Sequence, residues 1–273
     1  MKVSVVVPCF KQAQYLPEAL HSVLKQSYTD WECIIVNDGS PDNTATVASE
    51  FCKLDNRFKY LKKENGGLSS ARNAGIKTAS GSLVLPLDAD DKIHLDYLQL
   101  AVNAFIENPN LDLVYCKADF FGEKSGEWQL KSYSYQELLY NNMVFCSAVF
   151  KKQSFLNING YNENLKLGFE DWELWLRMLN PASEVIQLNK VLFYYRIKKE
   201  SMFQLLVDGD YKQIKWDVFL SCSDIYRKNI LPPTDLNQEI DRLNSIVKFY
   251  QQSKEYRLGR FLFSPIRKLK NLF

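Results

Sequence analysis

The sequence contains few of the residues that build zinc sites and no segment long enough to span a membrane. It has two histidines in 273 residues, and its six cysteines form no CxxC pair, which argues against a zinc site. No apolar run approaches the roughly 20 residues that cross a bilayer. Cys9 and Cys33 lie in strand-like apolar runs, as reduced core thiols do, and the chain opens on a strand pattern instead of a leader peptide. We therefore expect a protein of a reducing compartment, the cytoplasm.

A strong charge of either sign is also missing. The chain has 34 Lys and Arg against 32 Asp and Glu, a net charge of +2, so nothing indicates a nucleic-acid partner. Hydrophobic residues make up 46% and charged residues 24% of the chain, as in globular proteins. The charge is unevenly distributed: residues 254–273 carry six basic residues and one acidic residue, or +5, which leaves −3 for the remainder.

Two common nucleotide-binding signatures are absent. No G-x-G-x-x-G follows the first strand pattern, which argues against a dinucleotide site, and no G-x-x-x-x-G-K-[ST] is present, which excludes a P-loop nucleoside triphosphatase. A nucleotide, if bound, needs a different kind of loop.

Short apolar runs alternate with segments of helical periodicity. The patterns predict strands at 3–7, 33–36, 58–61 and 83–87, and helices at 15–26, 44–54 and 69–78, with Ser69 as a helix cap. Nearly continuous apolar strands between helices indicate an α/β fold of the Rossmann-like kind, with a mostly parallel sheet and helices on both faces. Right-handed crossovers then bring the carboxyl ends of the strands to one edge, where ligands bind in such folds.

Each predicted strand is followed by a polar or glycine-rich loop, at residues 8–10, 37–40, 64–67 and 88–90. Turn chemistry alone explains each loop taken separately, but four of them at one edge suit a nucleotide. Asp38 would accept hydrogen bonds from a base or ribose, Gly66 and Gly67 would let the backbone approach closely, and Arg72 would reach a phosphate oxygen.

The fourth predicted strand ends in the acidic sequence Asp88-Ala89-Asp90-Asp91. In an extended backbone Asp88 and Asp90 point to the same side, and a divalent cation would offset their mutual repulsion. The alternative is a solvated turn followed by a helix cap, where aspartate is also common.

Taken in order, five segments resemble the family 2 glycosyltransferases, which have the GT-A fold. They read VVVPCF (5–10), ECIIVNDGS (32–40), ENGGLSSARNAG (64–75), LPLDADD (85–91) and GFEDWELWLRM (168–178). The resemblance covers about residues 3–202. It implies a GT-A domain at 1–205, and the remaining residues 206–273 are then a helical C-terminal extension. The implied activity is inverting transfer of a sugar from a nucleotide diphosphate sugar, most often of uridine, to a saccharide or lipid-linked saccharide in surface polysaccharide or glycolipid assembly.

The resemblance also assigns residues. The nucleotide-sugar site would include Pro8, Phe10, Asp38, Asn65, Arg72, Asp88, Ala89 and Asp90, with Mn²⁺ or Mg²⁺ held by Asp88 and Asp90. Asp171 would be the general base that removes the acceptor hydroxyl proton, and inversion in one displacement requires such a base. Glu170 and Trp172 would lie on the acceptor side, and Phe169, Trp172 and Trp175 would desolvate the base and offer faces for a sugar ring. The alternative for Glu170 and Asp171 is that they are ordinary acids in a first helical turn.

Two positions depart from the family pattern. Lys11 stands where the family often has asparagine after the first motif, and the second departure, at residue 198, matters more. Members commonly have histidine where this chain has Lys198, and a protonated lysine cannot ligate a cation because it has no free lone pair. Either water and phosphate complete the metal shell, or Lys198 contacts the diphosphate and lessens the dependence on metal.

The C-terminal tail mixes large apolar residues with the basic cluster. This composition suits an anionic membrane surface, which would make the protein peripheral on the cytoplasmic face. The alternative is a terminal helix that docks on the core or forms a homodimer.

Two other functions remain open at this point. A non-catalytic nucleotide-sugar sensor or scaffold could use the same fold, and a phosphoryl-transfer enzyme could use the aspartates as nucleophile and acid. The donor sugar and the acceptor are not encoded in a pattern that we can interpret.

Overall fold

The computed structural model describes residues 1–199 and 208–270. These residues form two compact units, Met1–Ser223 and Asp224–Phe273. The domain boundary that we expect after residue 205 lies outside the described residues.

The first unit has nine strands and at least eight helices among its described residues. The strands are β1 (Val3–Cys9), β2 (Trp31–Asp38), β3 (Phe58–Lys63), β4 (Leu83–Pro86), β5 (Lys92–Ile93), β6 (Leu113–Gly122), β7 (Gly126–Trp128), β8 (Val149–Lys151) and β9 (Val185–Ile197). The helices are α1 (Leu16–Leu24), α2 (Thr44–Leu54), α3 (Leu68–Thr78), α4 (Tyr97–Glu107), α5 (Tyr135–Leu138), α6 (Lys152–Asn157), α7 (Glu170–Met178) and α8 (Asp208–Ser221).

The strands form one mixed, mostly parallel sheet in the order β3-β2-β1-β4-β8-β6-β9-β5, with β7 added to β6. Strands β1 to β4 are mutually parallel, whereas β8 runs antiparallel to both β4 and β6. Strand β9 is parallel to β6, and it therefore points the same way as β1 to β4. The predicted α/β fold is confirmed, and the carboxyl end of β9 lies at the same sheet edge as the ends of the first four strands.

The centre of the sheet is fully covered. Every residue of β1 and β2 is buried, which is the reason their sequences read as continuous apolar runs instead of alternating ones. Strand β1 continues to Cys9 through Pro8, which we expected to close it, and Pro8 is paired in register with Val36. Cys9 and Cys33 are buried free thiols, as predicted.

Helix α3 lies unusually close to the sheet. A Cβ on Gly75 would be 2.4 Å from Val6 Cγ1 and 2.8 Å from Val36 Cγ2, so only glycine fits there. The helix is preceded by Gly67 in a left-handed conformation, with φ of +88°, which glycine adopts without strain. The prediction of Ser69 as the cap is therefore wrong, because the turn at Gly67 starts the helix one residue earlier, at Leu68.

The second unit is helical, as expected for the C-terminal extension. It contains most of α9 (Ser223–Asn229), then α10 (Pro233–Gln252) and α11 (Lys254–Lys270). Among the residues that the structure describes, no helix is long and apolar enough to cross a bilayer.

Candidate active site

The loops after β2 and β3 are joined through one buried carboxylate. Asp38 Oδ1 accepts hydrogen bonds from Lys63 Nζ at 2.7 Å and from the Gly66 amide at 3.0 Å, and Oδ2 accepts one from the Gly67 amide at 2.9 Å. Asn65 Nδ2 donates to the Asp38 carbonyl at 2.9 Å. Asp38 is only 2% exposed, and the contacts that it makes in this structure shape the glycine turn. Its role in base recognition stays a prediction.

The loop after β1 presents an aromatic ring. Phe10 is 40% exposed, and the Lys11 ammonium lies 5.2 Å from the centroid of its ring. The Lys11 amide donates to Ser40 Oγ at 2.8 Å, which ties this loop to the one after β2. Pro8 lies inside β1 and is buried. An exposed ring at the carboxyl edge of the sheet is suited to stacking on a planar base.

Arg72 is the central buried cation of the site. Its guanidinium is fully buried and donates from one end to Glu170 Oε1 at 2.6 Å and from the other end to Asp88 Oδ1 at 2.6 Å. The role of Arg72 at a phosphate oxygen stays a prediction, and in this structure both ends of its guanidinium are taken up by carboxylates. Arg72 thereby joins the acidic loop after β4 to the start of α7.

The two outer carboxylates of the acidic sequence are partly open to solvent. The side chains of Asp88 and Asp90 are 24% and 18% exposed, whereas Ala89 between them is buried. Asp90 Oδ2 lies 2.6 Å from Lys198 Nζ. Asp91 differs from both, since it is buried and accepts a hydrogen bond from the Arg196 amide. Burial and the repulsion from Asp90 and Asp88 hold the pKa of Asp91 well above its ordinary value.

The side chains at this acidic loop only partly fit the ligand requirements of a divalent metal ion. Asp88 and Asp90 supply the hard oxygen atoms that Mn²⁺ and Mg²⁺ prefer. However, the described part of the chain has no group of three or more His, Cys, Asp or Glu side chains that could hold a metal ion. A cation at Asp88 and Asp90 would therefore need further oxygen ligands from a bound diphosphate.

Asp171 lies in the first turn of α7, next to the carboxylate that Arg72 holds. Burial, and then the adjacent Glu170, raise the pKa of Asp171 to about 7. Asn142 Nδ2 and the Trp172 amide both donate to Asp171 Oδ1, at 3.0 and 2.7 Å, and thereby fix its orientation. A carboxylate with a near-neutral pKa is suited to general-base catalysis at neutral pH.

The tryptophans of this motif do not present faces to a substrate. Trp172 is 4% exposed and donates its indole N–H to the Leu138 carbonyl at 2.7 Å, and Trp175 is fully buried and donates to the Val144 carbonyl at 2.9 Å. Trp172 is packed into the core by the inward face of α7, and its assignment to the acceptor side stays a prediction. Glu170 is likewise buried and bound to Arg72, whereas Phe169 is partly exposed.

Sequence reasoning missed several residues of this site. Asn142 orients Asp171, the Cys146 thiol lies 3.7 Å from Asp88 Oδ2, and Lys63 holds Asp38. Asn142 and Cys146 lie in a stretch between α5 and β8 that has no recognisable motif. Lys63 ends β3, so its position at the carboxyl edge was available from the strand prediction.

The fold and the site together define an α/β enzyme scaffold of the GT-A class. Its features are a mostly parallel sheet, a carboxylate pair and a glycine turn at the carboxyl edge of that sheet, and a separate carboxyl group whose pKa is near neutral. Residues 4–159, more than half of the chain, match the model of "Glycosyl transferase family 2". The chain therefore belongs to this family. Residues 130–203 also match the model "N-terminal domain of galactosyltransferase".

Curated relatives are found in several bacteria. Glycosyltransferase GlyA of Streptococcus pneumoniae is 33% identical over 74% of this chain, but the match spans only 31% of GlyA. WfgD of Escherichia coli, a UDP-Glc:alpha-D-GlcNAc-diphosphoundecaprenol beta-1,3-glucosyltransferase, is 29% identical over 79% of this chain and 84% of its own length.

Solved structures share the fold. TarS of S. aureus (residues 1–349) in complex with UDP-GlcNAc has a TM-score of 0.69 at 23% identity, over 81% of this chain and 66% of the TarS chain. The mannosyltransferase PcManGT of Pyrobaculum calidifontis, in complex with GDP-Man and Mn²⁺, has a TM-score of 0.61 at 16% identity, over 99% and 87% of the two chains.

Proposed function

We propose that this protein is an inverting glycosyltransferase that moves a sugar from a UDP-sugar to a hydroxyl group of a saccharide or lipid-linked saccharide. One observation carries the proposal. Two partly exposed carboxylates, Asp88 and Asp90, occur together with a separate candidate base, Asp171, and the buried Arg72 lies between Asp88 and the helix that carries Asp171. Arg72 fixes Asp88 directly and Asp171 through Glu170.

On the donor side, Phe10 would stack on the base, and Asp38 and Asn65 would hold the glycine turn against the nucleoside. Asp88 and Asp90, together with diphosphate oxygens, would hold Mn²⁺ or Mg²⁺. Such a cation supplies positive charge that stabilises the departing diphosphate.

On the acceptor side, Asp171 would take the proton of the attacking hydroxyl group. The acceptor oxygen then forms its bond to the anomeric carbon while the bond from that carbon to the diphosphate oxygen breaks. One displacement of this kind inverts the anomeric configuration. Asn142 would keep the carboxylate of Asp171 in place during attack.

The acceptor class is proposed from the relatives. The name of WfgD specifies a diphosphoundecaprenol-linked acceptor, and the match to WfgD covers most of this chain. This similarity supports a role in surface polysaccharide or glycolipid assembly at the cytoplasmic face of a membrane. The TarS complex with UDP-GlcNAc supports a uridine donor.

The test is release of nucleoside diphosphate from a panel of UDP-, GDP- and dTDP-sugars, with saccharide and lipid-linked acceptors and Mn²⁺ present. We expect acceptor-dependent release by the wild-type protein and a loss of at least about 100-fold in Asp171→Asn, the lower range for a positioned base. The variant should still bind UDP. Binding of a nucleotide sugar without transfer to any acceptor would instead support the sensor or scaffold function.

We further propose that the second unit binds an anionic lipid surface. The large apolar side chains of α11 are exposed: Tyr256, Leu258, Phe261, Leu262 and Phe263. Three of them, Leu258, Phe261 and Leu262, recur at the i, i+3, i+4 spacing of a single helix face. The segment 254–273 carries a net charge of +5, so its charge is complementary to that of acidic lipid headgroups.

Vesicle sedimentation tests this surface. The full chain should bind phosphatidylglycerol vesicles, bind phosphatidylcholine vesicles weakly, and lose binding in the variant Phe261→Asp with Leu262→Asp. An exposed control is Leu95→Asp, which lies in the first unit. Equal vesicle binding by both variants would reject the proposal that this face binds lipid. A stable dimer that dissociates in the variant Phe261→Asp with Leu262→Asp would also reject it, and would assign this face to a second copy of the chain.

A further inference from the structure

The two partly exposed carboxylates, Asp88 and Asp90, each form an ion pair with a basic side chain from another element. Arg72 of α3 contacts Asp88 at 2.6 Å, and Lys198, which follows β9, contacts Asp90 at 2.6 Å. Arg72 also holds Glu170, so the formal charges of these five side chains sum to −1. A diphosphate would therefore meet two carboxylates whose charge is largely offset in advance, whereas two unpaired carboxylates would repel it.

The two cations are not equivalent. Arg72 is fully enclosed, and both ends of its guanidinium already bind carboxylates. The Lys198 side chain is 18% exposed, like that of Asp90. An ammonium group has three donors on a flexible stem, and one of them can remain on Asp90 while another binds a phosphate oxygen.

The direction of β9 places Lys198 at the sheet edge that carries the acidic loop. Strand β9 points the same way as β1 and β4, so Lys198 follows it at the carboxyl edge of the sheet, where its ammonium reaches Asp90. The ammonium lies 5.7 Å from the centroid of the Tyr15 ring, which belongs to the segment between β1 and α1.

Arg196 holds this strand end against the acidic loop. Its Nε donates to the Asp90 carbonyl at 2.7 Å, its amide donates to Asp91 Oδ1 at 2.8 Å, and its guanidinium is ion-paired with Glu18. The guanidinium carbon lies 4.2 Å from the centroid of the Phe121 ring. Lys198 follows two residues later, just beyond the end of β9, so this anchoring also restrains the backbone that carries Lys198.

We propose that Lys198 is a built-in diphosphate-binding cation, whose ammonium spans Asp90 and the diphosphate, so that nucleoside diphosphate binds without a divalent metal. This inference rests on the proposed function, because it assumes a nucleotide diphosphate at this edge. A divalent ion and Lys198 then share one carboxylate, and the metal adds to binding instead of being required for it.

Isothermal titration calorimetry with UDP as the probe tests this directly, in excess EDTA and in Mn²⁺. We expect the wild-type protein to bind UDP in EDTA with a Kd within about tenfold of the Mn²⁺ value. Lys198→Ala should weaken binding in EDTA by at least tenfold and weaken binding in Mn²⁺ by less, and Lys198→Arg should retain binding in both.

The matched control is Lys190→Ala. Lys190 lies in β9, the strand that Lys198 follows, and makes an ion pair with Asp96 at the same 2.6 Å, but it precedes Lys198 by eight residues. This variant should bind UDP like the wild-type protein in both buffers. Thermal melts of all variants check that each is folded.

The outcomes separate the two proposals. UDP binding in Mn²⁺ but not in EDTA, or binding in EDTA that Lys198→Ala leaves unchanged, overturns the role of Lys198 and leaves the proposed function standing. If neither UDP, GDP nor dTDP binds in either buffer, the proposed function itself fails.

Discussion

The raised pKa of Asp171 makes the stability of this protein depend on pH in a defined window. The pKa rises from an ordinary value of 3.8 to about 7 because the carboxyl is buried beside Glu170. Between these two values the folded protein holds a proton that the unfolded chain has lost, so the free energy of unfolding falls as pH rises. Asp171→Asn removes this titration and should gain stability relative to the wild-type protein from about pH 4 to about pH 7.

The size of the effect follows from the width of that window. A rise from 3.8 to about 7 is about three pH units, and each unit corresponds to about 1.4 kcal/mol. The relative gain of Asp171→Asn between pH 4 and pH 8 therefore has a ceiling of about 4 kcal/mol, and nearly all of it should be present by pH 7.

Urea denaturation at half-unit pH intervals measures this difference, with Asp30→Asn as a control at an exposed position. A flat difference between Asp171→Asn and wild type from pH 4 to pH 8 would refute the reasoning, because it would mean that Asp171 titrates at its ordinary value.

Under the mechanism that we propose, the same pKa also governs catalysis, in the opposite direction. Transfer requires the deprotonated carboxylate, so kcat/KM should rise about tenfold per pH unit below pH 7 and level off above it. In Asn142→Ala the carboxylate loses a donor that stabilises its charged form, so the pKa and the midpoint of the profile should move higher. A midpoint that stays in place would mean that Asn142 does not act on this carboxylate.

Two further predictions concern the packing that builds the site. Arg72→Met leaves Asp88 and Glu170 without their shared partner and should cost about 3–5 kcal/mol in unfolding free energy by urea denaturation; a loss under 1 kcal/mol would show that the carboxylates find other partners. Gly75→Val puts branched carbon atoms where a Cβ would already lie 2.4 Å from Val6 Cγ1, so it should lower the melting temperature or prevent folding; an unchanged melting temperature would contradict the close approach of α3 to the sheet.

Local patterns in the sequence were sufficient for the first half of the fold. The apolar runs at Val3–Cys9 and Trp31–Asp38 are continuous because both faces of the central strands are covered, and that covering is what makes a parallel sheet recognisable. Local patterns did not predict the second half of the fold. Strands β5, β7 and β8 have two or three residues each, which is too short for periodicity to identify, and their pairing depends on contacts far along the chain.

The sequence by itself determined which chemical groups gather at the carboxyl edge, because parallel strands bring their loops together whatever the details of packing. Asp38, Asp88 and Asp90 could therefore be named as candidates, whereas Asp171 was named from the resemblance of its segment to a family motif. Only the tertiary structure decided what each group faces. It enclosed Arg72 between two carboxylates, buried Trp172 in the core, paired Lys198 with Asp90 and placed Asn142 on Asp171. Burial and long-range partners set charge state and access, and neither is a property of a local segment.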